Sequence, residues 1–199
     1  MEKAISNLCD FFIGQQIIQA ADKEVYQYCF EVLVMKFIYY MGCAAIMWNY
    51  HCFLLPVIFI ATHTILRSYT GGWHASNMWV CLCSSLLLVT AMVNIFLYAD
   101  ISAQGKLLFT AFSMITAALT MHYLGMQDHP NRKLTKDEKA AAEKKFFHIF
   151  FISLFIMLVM LCLQQVDIAF SMALAYCMAT LLLLLSKLQT KGMIHHETQ

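Results

Sequence analysis

Long apolar stretches, separated by short polar segments, make up most of this chain. Six of them approach the length of about 20 apolar residues that a membrane-spanning helix needs, and they cover residues 26–47, 51–66, 78–98, 105–125, 146–164 and 167–187. The second is short and contains Pro56, so we expect it to be tilted, kinked or shielded by its neighbours. The pattern predicts an all-α, polytopic integral membrane protein with about six transmembrane helices.

The first residues have an amphipathic period instead of a continuous apolar one. The segment EKAISNLCDFFIGQQI places one apolar face apart from the polar residues, and this face consists of Ile5, Leu8, Cys9, Phe12 and Ile13. Such a helix suits a position in the membrane interface, or packed beneath the bundle, better than a span. No secretory signal pattern and no soluble segment stand out. We therefore expect a single membrane-embedded domain over residues 1–199.

Composition and charge agree with the apolar pattern and add an orientation. Hydrophobic residues make up 61% of the chain and charged residues 13%, against about half and a quarter in soluble domains. With the N-terminus in the cytoplasm, every Lys and Arg except Lys36 and Lys106 lies on the inner side, as cytoplasmic loops require. Glu31 and Lys36 fall within the first span, where a charge must face protein, water or the interface. No basic domain points to nucleic acid.

The eight cysteines give little sign of disulfides or metal. They are scattered, mostly within apolar stretches and without a C-x-x-C pair, so most are expected to pack as small hydrophobic residues. Thiols at a cytoplasmic surface stay reduced. His74, Cys81 and Cys83 do not complete a metal-ligand quartet, and we expect neither a metal nor another cofactor.

One polar segment, RSYTGGWHASNMWVCLC from Arg67 to Cys83, interrupts the apolar pattern. A thiol attacks as the thiolate, and a neighbouring imidazole that takes its proton is the usual activator. His74 and Cys81 are seven residues apart. On one continuous helix this spacing separates them by about 10 Å, too far for a hydrogen bond. A catalytic pair of His74 and Cys81 therefore requires a break in the helix between them.

The glycine pair offers such a break. Gly71 and Gly72 permit the backbone angles of a sharp turn, and Ser76 or Asn77 can cap the third span. Cys81 then lies about one turn inside that span, where the helix dipole favours a thiolate.

Other residues of this segment are candidates for supporting roles. Ser76 or Asn77 can instead orient the imidazole, as in a Cys-His-Asn arrangement. Backbone N–H groups near the glycines, or Arg67, are candidate oxyanion donors. Cys83, two residues from Cys81, points to another side of the helix and is expected to be structural.

Non-catalytic interpretations of the same residues remain open. A cysteine in a membrane helix usually packs, a histidine in a loop is usually solvated, and a glycine pair often makes only a turn. Polar residues within spans also mark transport paths, and they are Glu31, Lys36, His51, His63, Asn94 and His122. However, neither an inverted repeat nor paired broken helices accompany them. A non-catalytic membrane assembly subunit would need no reactive thiol.

The spacing R-x4-G-x-H-x6-C, formed by Arg67, Gly72, His74 and Cys81, resembles that of the AgrB family, the membrane-embedded peptidases of accessory gene regulator quorum-sensing systems. The chain is also similar to that family in length, in its multi-span pattern and in a basic segment, QDHPNRKLTKDEKAAAEKK, after the fourth span.

The resemblance implies a membrane-bound cysteine peptidase with His74 and Cys81 as catalytic residues. It implies an AgrD-like precursor peptide with an amphipathic leader, a central Cys or Ser and an acidic tail. Cys81 would attack the peptide bond before the tail, and His74 would protonate the departing amine. An internal thiol or hydroxyl would then close a thiolactone or lactone autoinducing peptide. The family also implies a homodimer in the cell membrane.

The basic segment has two interpretations. Arg132, Lys133 and Lys136 can attract the acidic tail of the precursor. Alternatively, their charges only hold the segment on the cytoplasmic side.

Overall fold

The computed structural model describes the backbone of residues 2–70, 77–125 and 135–197, and side chains within these ranges from residue 3 to residue 188. The described residues form seven α-helices and no strand. They are α1 (Glu2–Gly14), α2 (Lys23–Asn49), α3 (Leu54–Thr70), α4 (Met78–Tyr98), α5 (Ala103–Leu124), α6 (Lys136–Cys162) and α7 (Val166–Glu197), with a 3₁₀ turn at Ala20–Asp22 before α2.

These helices confirm the all-α, polytopic membrane fold. Each of the six predicted spans overlaps one helix, and α2, α4, α5, α6 and α7 are long and apolar enough to cross a bilayer. Helix α3, with 17 residues, is shorter than the usual span. The helix limits differ most from the predicted spans at α3, which covers Leu54–Thr70 instead of 51–66, at α6, which covers Lys136–Cys162 instead of 146–164, and at α7, which covers Val166–Glu197 instead of 167–187.

Backbone contacts divide the chain into two compact units, and each is described by itself. One contains Met1–Tyr50 and Ser76–Thr90, and the other contains His51–Ala75 and Ala91–Gln199. The single domain expected over residues 1–199 stays a prediction.

In the first unit, the amphipathic helix α1 packs against the beginning of α2. Ile5, Cys9 and Ile18 are buried there against Phe30 and other apolar side chains, whereas Leu8, expected on the same face, is 40% exposed. Lys23 Nζ lies 2.6 Å from Asp10 Oδ1 and joins the two helices at the surface. Helix α2 also contacts α4 closely, because a Cβ atom on Gly42 would lie only 2.8 Å from Leu86 Cδ2.

The core of the second unit forms around α7. The residues that α7 contributes to this core lie on one side of the helix: Ala169, Met172, Ala173, Tyr176, Ala179 and Leu183. Lipid tails are as apolar as these side chains, so membrane helices associate through close packing and internal hydrogen bonds more than through exclusion from water. The alanines allow close approach, and Phe150 packs edge-on against Tyr176 at 5.8 Å between ring centroids.

Two buried hydroxyls fix α7 to its neighbours. Ser113 Oγ on α5 donates to the carbonyl of Ala173 at 2.6 Å, and Ser171 Oγ on α7 donates to the carbonyl of Leu55 on α3 at 2.7 Å. Lys106 and Asp167, near the starts of α5 and α7, form an ion pair at 2.6 Å. Helices α5 and α7 therefore run in the same direction, and α3 begins beside the first turns of α7.

Two helices end with glutamine in the left-handed conformation. After α6, Gln164 has φ +60°, and the N–H groups of Gln164 and Gln165 bond to the carbonyls of Leu161 and Met160. After α1, Gln16 has φ +57° and the same pair of bonds recurs. This is the Schellman ending, in which glycine is the usual residue.

Candidate active site

The polar segment of the predicted site begins within α3. Arg67 lies in the last turn of α3 and is half-buried. A cation there interacts favourably with the negative end of the helix dipole. Close by, Ser68 Oγ donates to the carbonyl of Ile65 at 2.7 Å, and Thr70, the last residue of α3, is buried. Arg67 therefore lies on α3, whereas the sequence predicted a span that ends one residue before it, at residue 66.

At the other end of the segment, Asn77 caps α4. Its Oδ1 accepts a hydrogen bond from the backbone N–H of Trp79 at 2.9 Å, and its carbonyl accepts from the N–H of Cys81 at 3.1 Å. These are the two bonds that an N-cap residue makes. Between Ser76 and Asn77, the structure therefore gives the cap to Asn77. In this arrangement Asn77 Oδ1 is engaged by the backbone N–H of Trp79.

Cys81 lies one turn inside α4, near its N-terminus. The first turn of a helix carries backbone N–H groups without partners in the helix and a partial positive charge. Cys81 is the fourth residue of α4 and therefore lies close to these groups. Because α4 begins at Met78, the helix that holds Cys81 does not run back to His74. The start of α4 thus lies between positions 74 and 81, and the turn expected at Gly71 and Gly72 lies outside the described residues.

The surroundings distinguish Cys81 from Cys83. Cys81 is half-buried and Cys83 is exposed, and two positions along a helix place them on nearly opposite sides. The carbonyl of Cys81 accepts hydrogen bonds from Ser84 Oγ at 3.0 Å and Ser85 Oγ at 2.8 Å. Ser84 and Ser85 lie one turn further along α4 on the same side as Cys81, and each uses its hydroxyl hydrogen in a bond to the backbone.

Several predicted site residues lie outside the described residues. They are Gly72, His74, Ser76, Arg132 and Lys133. Their assigned roles stay predictions, and so does the pairing of His74 with Cys81. Arg67 is described in one compact unit and Cys81 in the other.

Lys136 is the described member of the predicted tail-binding group. It is exposed in the first turn of α6. Thr135 Oγ1 accepts from the N–H of Glu138 at 3.2 Å, and the Glu138 carboxylate accepts from the N–H of Thr135 at 2.8 Å. This is a capping box. The T-x-x-E pattern was present in the sequence and would have predicted the start of α6 at Lys136.

In a comparison with protein-family models, residues 5–187 match AgrB, described as accessory gene regulator B. The match includes the whole segment from Arg67 to Cys83 and all but the end of α7. No curated protein and no solved structure matches the chain.

Proposed function

Because the chain belongs to the AgrB family, we propose that it is a cysteine endopeptidase that removes the tail of a quorum-sensing precursor peptide and cyclises the remainder. Family membership already relates this membrane protein to the peptide processing of agr quorum sensing. The proposal adds the nucleophile, the order of the steps and the product.

The observation that carries the proposal is the position of Cys81. It is half-buried, one turn inside a helix whose start is capped by Asn77. A capped helix end holds its free N–H groups and positive partial charge in place beside the sulfur. Cys83 is on the same helix but exposed on another side, which makes it an internal control.

In the first step, the Cys81 sulfur attacks the carbonyl carbon of the peptide bond before the acidic tail. His74 takes the thiol proton and gives it to the departing nitrogen. The C–N bond breaks, the tail leaves as an amine, and the remainder is held as a thioester on Cys81. This role of His74 follows from the family motif.

In the second step, a thiol or hydroxyl within the bound peptide attacks the thioester. The C–S bond to Cys81 breaks, a thiolactone or lactone ring forms, and the proton of the attacking group returns to the enzyme. Exchange between two thiols is nearly balanced in free energy, whereas making a thioester from an amide is uphill. Removal of the tail or export of the ring must therefore draw the reaction forward, and water must be kept from the thioester.

We place the site at the cytoplasmic membrane surface. The distribution of Lys and Arg along the chain supports this orientation. Arg132, Lys133 and Lys136 would attract the acidic tail there. A homodimer is also part of the proposal, since closed two-fold dimers are the commonest oligomers.

The test uses the purified protein in nanodiscs and a synthetic precursor peptide of the proposed type, with an amphipathic leader, a central Cys and an acidic tail. Its sequence would come from a small reading frame beside that of this chain. We expect Cys81→Ala to insert normally and lose cleavage, and Cys83→Ala to retain it. Mass spectrometry should detect a peptide thioester on Cys81 of the wild-type protein.

Full cleavage by the Cys81→Ala protein would end the cysteine-peptidase proposal. Cleavage by the wild-type protein without a covalent adduct, under conditions that trap thioesters, would point instead to direct attack by water.

A further inference from the structure

His63 on α3 contains a buried polar atom that the proposed mechanism does not use. Its Nε2 is closed off from solvent and has no hydrogen-bond partner in the part of the chain that the structure describes. The imidazole stacks on the ring of Phe59, with 5.7 Å between centroids and 9° between planes. The stacking defines the plane in which the imidazole lies.

An unsatisfied buried nitrogen is costly. Such a group has lost its hydrogen bonds to water without gaining others, and each such case in a native structure requires an explanation. Phenylalanine would fill the same space beside Phe59 without this cost. Packing alone therefore does not account for a histidine at this position.

Arg67 restricts what the partner of His63 can be. The two residues are four positions apart on α3, so they lie on the same side of the helix, and the charge of Arg67 acts electrostatically on His63. A guanidinium offers only N–H donors. A ligand group that donates a hydrogen bond to His63 would be repelled by this charge, whereas an oxygen atom can accept from both residues.

We infer that His63 and Arg67 together bind an oxygen atom of the precursor peptide, with His63 Nε2 as an N–H donor and Arg67 as a charged donor. This inference rests on the proposed function. The oxygen belongs either to a carboxylate of the acidic tail or to a peptide carbonyl. Because Nε2 is covered in the unliganded chain, the side chains around it must move when the peptide binds.

The test measures binding without chemistry. A fluorescent form of the same synthetic precursor is titrated into the Cys81→Ala protein, alone and combined with His63→Phe or His63→Gln. Phenylalanine keeps the aromatic contact with Phe59 and removes the nitrogen, whereas glutamine returns an N–H donor near the position of Nε2. His122→Phe, at an exposed position on α5, is the control for loss of an imidazole.

We expect His63→Phe to raise the Kd about tenfold, the effect of about 1.4 kcal/mol in binding, without lowering the thermal midpoint. His63→Gln should recover most of the affinity. His122→Phe should leave the Kd equal to that of the Cys81→Ala protein. A precursor with a neutral tail separates the two sources of the oxygen. If His63→Phe does not change the Kd of the neutral-tail precursor, the oxygen is a tail carboxylate. If His63→Phe raises that Kd as much as it raises the Kd of the full precursor, the oxygen is a peptide carbonyl.

An unchanged Kd in the His63→Phe protein would overturn the inference and leave the proposed function intact. A lower thermal midpoint in both His63 variants, with no recovery of affinity by glutamine, would also overturn it, because His63 would then be structural. If the Cys81→Ala parent does not bind the precursor and the wild-type protein does not cleave it, the proposed function itself fails.

Discussion

At the scale of single residues, glutamine occupies a backbone conformation that normally selects glycine. Gln164, after α6, has φ +60°, and a left-handed residue with a Cβ atom costs roughly 1–2 kcal/mol. We predict that Gln164→Gly stabilises the protein by about 1 kcal/mol, seen as a higher midpoint of thermal unfolding in detergent. Gln165→Gly is the control, since its φ is not positive and glycine there should be neutral or destabilising. Equal shifts in both variants would contradict this explanation.

The nucleophile gives a second prediction at this scale. Cys81→Ser keeps the shape of the side chain but replaces the thiol by a hydroxyl, which a single histidine activates poorly. We expect the rate of precursor cleavage to fall by orders of magnitude while insertion and thermal stability are unchanged. Single-turnover cleavage with mass detection is the measurement. A serine protein with nearly wild-type rate would contradict the thiolate mechanism.

The sequence predicted some of these residue-scale features and missed others. A side-chain cap at Ser76 or Asn77 followed from the polar residues before an apolar stretch, and Asn77 makes that cap. The left-handed conformation of Gln164 could not be predicted, because its local sequence lacks the Gly or Asn that usually marks it. His63 was visible only as a polar residue in an apolar stretch. Among the described residues, His63 Nε2 has no hydrogen-bond partner, and this depends on tertiary packing, which the sequence does not show.

At the scale of helices, the contact between α2 and α4 depends on a residue without a side chain. A Cβ atom on Gly42 would lie 2.8 Å from Leu86 Cδ2, which is the close approach that small residues allow in membrane helices. We predict that Gly42→Ile destabilises the protein by about 1–3 kcal/mol through overpacking. Gly42→Ala should cost less, since the flexible end of Leu86 can shift. Thermal unfolding in detergent measures both changes.

A matched control for this contact is Gly14→Ala, because nothing lies within 4 Å of a Cβ atom at Gly14. It should leave the midpoint nearly unchanged. Combining Gly42→Ile with Leu86→Ala should restore part of the lost stability, since the smaller side chain makes room. A Gly42→Ile protein as stable as the wild type would show that the two helices do not approach closely at this point.

Helix limits illustrate what hydrophobicity can and cannot predict. The apolar run of α6 begins near Phe146, but the helix begins at Lys136, where the Thr135–Glu138 capping box satisfies its first N–H groups. Hydrophobic length locates the part of a helix that lies in the membrane, whereas hydrogen bonds at the cap decide where the helix starts. Helix α3 likewise continues beyond its predicted apolar limit at residue 66, to Thr70.

At the scale of the whole molecule, the sequence predicted the fold class and the approximate spans, but not which helix lies at the centre. Spans such as 78–98 and 146–164 are nearly continuous apolar runs, so periodicity does not reveal their buried sides. In the second unit, α7 is central because its alanines permit close packing and because its backbone and hydroxyl bond to Ser113 and Leu55. These contacts join residues far apart in the chain, and one sequence alone does not specify them.

The charge distribution of the whole chain carries the last prediction. If Arg132, Lys133 and Lys136 bind the acidic tail, changing all three to Gln should raise the apparent KM for the full precursor several-fold. A precursor with a neutral tail should be almost unaffected. Higher salt should imitate the substitutions, because the screening length falls from about 10 Å at 0.1 M to about 3 Å at 1 M ionic strength. Cleavage assays in nanodiscs with both precursors, at low and high salt, provide the measurement.

If the charges serve only to orient the segment, the remaining inner lysines should preserve insertion, and the two precursors should respond alike. Equal losses for both tails would therefore exclude tail recognition.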